Sequence, residues 1–196
     1  MTTDDAHIAA RVEALEELLV EKGLLDRASV DRLIDHFTVN YGPLNGAKVV
    51  ARAWIDDEYR KRLLTNGTKA IAEFGFGGPE GAHLTVVENT SSVHNVVVCT
   101  LCSCYPWPVL GLPPGWYKSA EYRSRMVATP RAVLTEMGLA VSADVAVRVW
   151  DSSAETRYLV LPMRPSDTGD MTESELAELV TRDSMIGVAA AREPGR

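Results

Sequence analysis

The sequence predicts an α+β fold, in which a helical N-terminal arm leads into a layered α-β-β-α domain that carries a cysteine claw. Three observations point to it. Apolar residues recur at helical spacing through the first third of the 196-residue chain. Two β-rich runs follow, and two more appear after a second helical stretch. All the cysteines, Cys99, Cys102 and Cys104, fall within the short stretch Val98-Cys99-Thr100-Leu101-Cys102-Ser103-Cys104-Tyr105.

Taken in order, Thr3 or Asp4 can cap a first helix whose stripe is Ile8, Val12, Leu15 and Leu19, and Gly23 stops it. Ser29 begins a second helix carrying Val30, Leu33, Ile34 and Phe37, which ends near Gly42-Pro43. Two such narrow stripes cannot build a core from each other, so they either fold back on the rest of the chain or cover another surface. A third helix is expected from Ala47 to Leu64 and a fourth from about Lys69 to Phe74. The segment Gly75-Phe76-Gly77-Gly78-Pro79-Glu80-Gly81 lacks the Lys-Ser/Thr pair of a phosphate loop and follows no strand, so its glycines are read as permitting close backbone approach.

Strands are expected at Leu84–Glu88 and Val93–Val98, the second running straight into the cysteines. Pro106, Pro108, Pro113 and Pro114 then argue against regular helix and stiffen the loop through Trp116. Helical patterns return at Ala120–Met126 and Pro130–Met137, and strands at Val145–Trp150 and Arg157–Pro162. Thr172-Glu173-Ser174-Glu175 offers a capping box for a last helix reaching about Val180. The expected division is a helical arm over 1–65, an α+β domain over 66–188 and a flexible tail over 189–196.

The spacing C-x-x-C-x-C carries the chemistry. Helix and strand repeat at 3.6 and 2 residues, so three sulfurs so spaced converge only if the backbone folds tightly around one point. If the sulfurs of Cys102 and Cys104 hold one metal, the Ser103 amide nitrogen closes a six-membered chelate ring with the first. The Cys104 amide closes a five-membered ring with the second, and neither ring is strained. Three thiolates and two amide nitrogens would favour a trivalent low-spin ion and leave one octahedral position open. Two other readings stand beside this one: a redox pair of Cys99 and Cys102, and a structural zinc completed by His94 or His83. His94 also reads as a hydrogen-bonded core histidine.

With 46% hydrophobic and 24% charged residues the composition is that of an ordinary globular protein. A net charge of −7 without clustered Lys or Arg argues against a nucleic-acid partner. Residues 1–30 lack the basic start and apolar run of a secretory signal, and no stretch is apolar enough to span a bilayer, so no membrane partner is expected and the cytoplasm is the expected location.

VCTLCSCY, continuing as PWPVLGLPPGWYKSAEYRSR, resembles the α subunit of nitrile hydratase, and so do GPLNGAKVVARAW, VENTSSVHNVVV, RVWDSSAETRYLVLPMRP and LVTRDSMIG in the same order. Thr100 and Tyr105 resemble the cobalt form, while the iron form tends to carry serine and threonine there. The resemblance implies cobalt(III), with iron(III) as the alternative, held by Cys99, Cys102, Cys104 and the amides of Ser103 and Cys104. It implies that Cys102 is oxidised to sulfinic and Cys104 to sulfenic acid, the latter a candidate nucleophile or base. Trp107 resembles a pocket-lining residue, with buried packing as the alternative, and Asp151 and Arg157 resemble residues that support the centre or its interface, with a surface ion pair between them as the alternative. The implied partners are a β-type subunit supplying arginines to the oxidised sulfurs, a small nitrile, and a metal-insertion chaperone.

One departure concerns Glu80, which stands where the family is expected to carry glutamine. It leaves open whether the nitrile is aliphatic, aromatic or heteroaromatic, as in a toyocamycin-like nucleoside. Thiocyanate hydrolase resembles the same sequence and is the enzymatic alternative. The alternative of another class is a non-catalytic cobalt- or zinc-binding protein.

Overall fold

The computed structural model describes residues 3–35, 42–77, 82–102 and 104–195. The chain divides into two compact units, Met1–Asn40 and Tyr41–Arg196. In the first, α1 (Thr3–Glu21) ends at Gly23, whose positive φ lets the chain turn back on the last helical carbonyls of Leu19 and Val20. Ile8, Val12, Leu15 and Leu18 of α1 are all exposed. The second helix, α2 (Arg27–Asp35), starts earlier than expected because the Asp26 carbonyl accepts the first helical bonds while its carboxylate takes the Ser29 hydroxyl at 2.9 Å. Phe37 and the expected end of this helix near Gly42 fall largely outside the described residues.

In the second unit, the helix expected from Ala47 to Leu64 is two helices, α3 (Pro43–Ile55) and α4 (Asp57–Thr65). Asp56 divides them: it is extended, its N–H closes α3 on the Arg52 carbonyl, and its carboxylate caps α4 at the Tyr59 N–H, 2.9 Å away. The apolar period runs through both helices and so conceals the break. Asn66 in turn caps α5 (Gly67–Ala72), which therefore begins before Lys69.

Four strands follow close to their expected limits: β1 (His83–Glu88), β2 (Val93–Val98), β3 (Ala146–Asp151) and β4 (Thr156–Leu161). They form two parallel pairs, β1 with β4 and β2 with β3. Only four residues separate β1 from β2, yet the two enter different pairs. Side-chain amides fill the corner: Asn89 Oδ1 accepts from the Asn95 N–H at 2.7 Å, and Asn95 Nδ2 donates to the Glu88 carbonyl at 2.7 Å. Trp150 of β3 donates its indole N–H to Asn95 Oδ1 at 2.8 Å. These bonds satisfy backbone and side-chain groups that a hairpin ladder would otherwise have to satisfy.

Between β2 and β3 lie α6 (Trp107–Leu110), α7 (Gly115–Lys118), α8 (Ala120–Ala128) and α9 (Pro130–Glu136). The prolines do not exclude helix here, contrary to expectation. Pro106 and Pro114 occupy N-cap positions and Pro108 the first turn, where no intrahelical N–H is required. The expected capping box of Thr172 and Glu175 opens α10 (Glu173–Leu179). A further short helix, α11 (Arg182–Ile186), goes beyond the sequence reading.

The helices α4 and α5 cover β1, α9 covers β3, and α11 lies against β2 and β4. The core they enclose includes Val96, Val97, Val98, Leu159, Val160 and Leu161. The fold class is thus the expected mixture of helices packed on strands. Among the described residues no helix is long and apolar enough to cross a membrane.

Gly187 ends α11 with φ of 90°, and a Cβ there would lie 2.0 Å from the Asn95 carbonyl oxygen. Gly187→Ala combines a left-handed residue with a backbone clash, and should cost about 2–4 kcal/mol in chemical denaturation. The Gly187 carbonyl also accepts from His94 Nε2 at 2.7 Å, and His94 Nδ1 takes the Asn89 amide at 3.3 Å. Burial lowers the His94 pKa below its ordinary 6.5, against the smaller opposing effect of the Gly187 bond. The unfolded chain therefore binds this proton first, so the stability from neutral His94 is present above about pH 6.5 and lost as the pH falls below it. The melting temperature should fall on acidification through that window, and His94→Gln should flatten the slope.

Candidate metal centre

The buried strand β2 delivers Cys99 into the core, and its parallel register with β3 sets Val98 beside Asp151. The ladder runs one step further, where the Ser152 N–H donates to the Val98 carbonyl at 2.7 Å. The chain then turns sharply, held by Asp151: one carboxylate oxygen accepts from the Thr100 N–H at 2.9 Å and the other from the Thr100 hydroxyl at 2.5 Å. The site thus stands at the carboxyl ends of a parallel pair, where open α/β sheets place their ligands.

Within the turn the three sulfurs converge. Cys102 Sγ lies 3.4 Å from Cys99 Sγ and 3.0 Å from Cys104 Sγ, and all three fall within 4.8 Å of one another. The Cys102 N–H points at Cys99 Sγ from 3.3 Å. Cys99 is fully buried, Cys104 half-buried and Cys102 exposed, and none is in a disulfide. Burial, then hydrogen bonding with the Cys102 and Cys99 thiols, pushes the Cys104 thiol up to about 12, while Arg157 pulls it the other way. Thiolates this close need a nearby cation to ionise together. The donor set of three convergent sulfurs therefore fits a thiophilic metal ion.

A segment from α7 and α8 supports the turn from behind. Tyr117 donates to the Cys104 carbonyl at 3.0 Å, Tyr122 to the Val97 carbonyl at 2.8 Å, and Arg123 Nη1 to the Thr100 and Cys102 carbonyls, both at 3.4 Å. Tyr105 and Tyr117 meet edge to face, with ring centroids 5.1 Å apart. Sequence reasoning passed over Tyr117, Tyr122 and Arg123 because their contacts reach back 13 to 25 residues, a separation that no periodicity reports.

The other candidate residues are dispersed. Both ring nitrogens of His94 are engaged at the strand corner, and His83 Nδ1 faces Thr68 Oγ1 at 3.3 Å, so neither joins the sulfurs. Trp107 opens α6, half-buried against the core. Asp151 grips Thr100 through both carboxylate oxygens. Arg157 lines a cavity of about 230 Å³ together with Thr68, Phe76, Pro106 and Pro108, and its Nε and Nη1 are buried without partners. Ser103 and Glu80 lie outside the described residues.

Comparison with known proteins agrees with this geometry. The family described as nitrile hydratase, alpha chain, matches residues 6–189. The low-molecular weight cobalt-containing nitrile hydratase subunit alpha of Rhodococcus rhodochrous is 56% identical, over 96% of this chain and 91% of its own. The thiocyanate hydrolase subunit gamma of Thiobacillus thioparus is 45% identical, over 93% of this chain and 79% of its own. Among solved structures, a double mutant of the Fe-type nitrile hydratase from Comamonas testosteroni Ni1 superposes with a TM-score of 0.93 at 44% identity, covering 98% of this chain and 94% of the other.

Asp151→Asn keeps the shape but leaves one oxygen acceptor where two now serve Thr100. It should destabilise the metal-free chain by about 1–2 kcal/mol in urea denaturation and speed alkylation of Cys102 by iodoacetamide.

Proposed function

The chain belongs to the nitrile hydratase α-chain family, and on that premise we propose that it is the metal-carrying subunit of an enzyme that adds water to a nitrile and releases the amide. The carrying observation is the convergence of three sulfurs within 4.8 Å at the end of β2. Cys99, Cys102 and Cys104 would hold the ion through sulfur, joined by the amide nitrogens of Ser103 and Cys104. Cobalt(III) is the proposed ion, supported by the name of the 56%-identical relative and by Thr100 and Tyr105, although a structural neighbour is of the Fe type. When bound, such an ion supplies a Lewis acid that polarises the nitrile or acidifies water.

The chain's own residues prepare that chemistry. Asp151 and Arg123 hold the turn on opposite sides of Thr100, and Tyr117 fixes the Cys104 carbonyl. The family resemblance assigns a sulfinic acid to Cys102 and a sulfenic acid to Cys104, whose oxygen would act as nucleophile or base toward the substrate. Trp107, three residues beyond Cys104, is the proposed wall of the nitrile pocket. Glu80 is proposed to tune which nitrile is preferred, because a carboxylate near the pocket changes local polarity.

A β-type subunit is the proposed partner. Leu101, at the tip of the turn, is 86% exposed next to exposed Cys102, and Ile8, Val12 and Leu15 of α1 are exposed as well, so both surfaces are available to be covered. Residues 1–40, the first compact unit, are the proposed arm that embraces this subunit, whereas residues 43–65, expected within that arm, form α3 and α4 of the second unit; 66–188 would carry the catalytic site and 189–196 a tail. A metal-insertion chaperone would load the ion in the cytoplasm, where thiols stay reduced beforehand.

Coexpression with a β-type subunit in cobalt-supplemented medium should give a complex that converts small nitriles to amides without acid and carries cobalt by elemental analysis. Peptide mapping should find two oxygens on Cys102, one on Cys104 and none on Cys99. Cys99→Ser should abolish both cobalt retention and turnover. Faster turnover of thiocyanate than of every nitrile tested would overturn the assignment in favour of thiocyanate hydrolase.

A further inference from the structure

The turn from Cys99 to Cys104 is too irregular to satisfy its own backbone, so its carbonyls must find donors elsewhere. Those of Thr100, Cys102 and Cys104, and that of Val97 in the strand before the turn, are met by side chains from residues 117–123. Two of the donors are buried tyrosines, whose pKa burial raises, so they remain neutral. The third is a cation, Arg123, whose Nη1 serves two carbonyls of the turn while its Nε is buried without a partner.

We infer that Arg123 is a positioning residue of the metal centre: it fixes the Thr100 and Cys102 carbonyls and sets a permanent positive charge beside the sulfur cluster. The inference rests on the reading of that cluster as a metal centre.

Two further observations support it. Thr100 is gripped by opposite charges, with the Asp151 carboxylate on its N–H and hydroxyl and the Arg123 guanidinium on its carbonyl, so the peptide units that start the turn are fixed at both ends. Arg125, one helical position pair further along α8, is instead committed to Glu121 and Glu136 on the surface, and ordinary surface pairing accounts for it. A half-buried guanidinium is costly unless its donors are met, and the Thr100 and Cys102 carbonyls meet Nη1 where the chain turns between the sulfurs. Because arginine stays protonated throughout the working pH range, the brace is constant where a lysine or histidine would vary.

The test uses the full metal-free chain titrated with Co(II) ion alone. It reads the sulfur-to-cobalt charge-transfer band and the affinity in competition with a chelator, with a melting curve of the metal-free protein alongside. Arg123→Met should weaken cobalt binding by about 10- to 100-fold and displace the band, as loss of a support behind a metal ligand does. Arg123→Lys, which keeps the charge but not the fork, should recover part of both. Wild-type affinity and band position in Arg123→Met would overturn the inference. So would equal losses in Met and Lys variants that track a parallel fall in melting temperature, which marks a purely structural residue. If Arg123→Met fails to fold, Arg123→Lys decides: a displaced band at unchanged melting temperature supports the inference, and an unchanged band overturns it. A wild-type chain showing no thiolate band would instead overturn the metal centre itself, and the inference with it.

Discussion

The parallel register of β2 with β3 is the constraint on which the site depends. It sets Val98 beside Asp151, so that where β2 ends a carboxylate is already waiting for the first N–H of the turn. A slip of one residue would send the Asp151 side chain to the opposite face and leave the Thr100 N–H and hydroxyl without their shared acceptor. The register is itself held by burial. The last four residues of β2 are enclosed, so a slip would expose Val96 and Val98 or bury polar neighbours.

The strand corner holds β2 at its other end. Asn89 and Asn95 satisfy one another and the adjoining backbone, Trp150 adds an indole donor, and His94 reaches the carbonyl of Gly187. That last contact exists only because Gly187 has no side chain to meet the Asn95 carbonyl. A polar network in a buried place is stable only when complete, which makes this corner a rigid anchor some distance from the sulfurs. The claw therefore hangs between two fixed points, the amide corner before β2 and the tyrosine and arginine supports beyond it.

Electrostatically the centre is poised for a cation. Three thiols packed at 3.0–3.4 Å repel one another as anions, and burial raises Cys104 further. The chain brings Arg123 and Arg157 to this neighbourhood, but it leaves Cys102 and Leu101 facing outward. A surface of that character, apolar at its tip and thiol-bearing beside it, is suited to burial under a second protein.

The sequence alone determined what depends on short separations. The spacing of Cys99, Cys102 and Cys104 required a tight turn, the β-branched runs marked the strands to within about one residue, and Thr172 and Glu175 announced a helix start. Each is a local property, carried by rotamers, pleat and capping geometry over a few residues. Partnership was decided only by the tertiary structure. Nothing in the β1–β2 segment says that its strands enter separate parallel pairs, and the apolar period ran unbroken across Asp56, where the helix divides. Nor does any spacing reveal that Asp151, 51 residues beyond Thr100, would hold the turn, or that Arg123 would brace it. Such contacts are selected by packing of the whole core, which matches burial and hydrogen-bond satisfaction across the fold at once, and a one-dimensional pattern does not contain that matching.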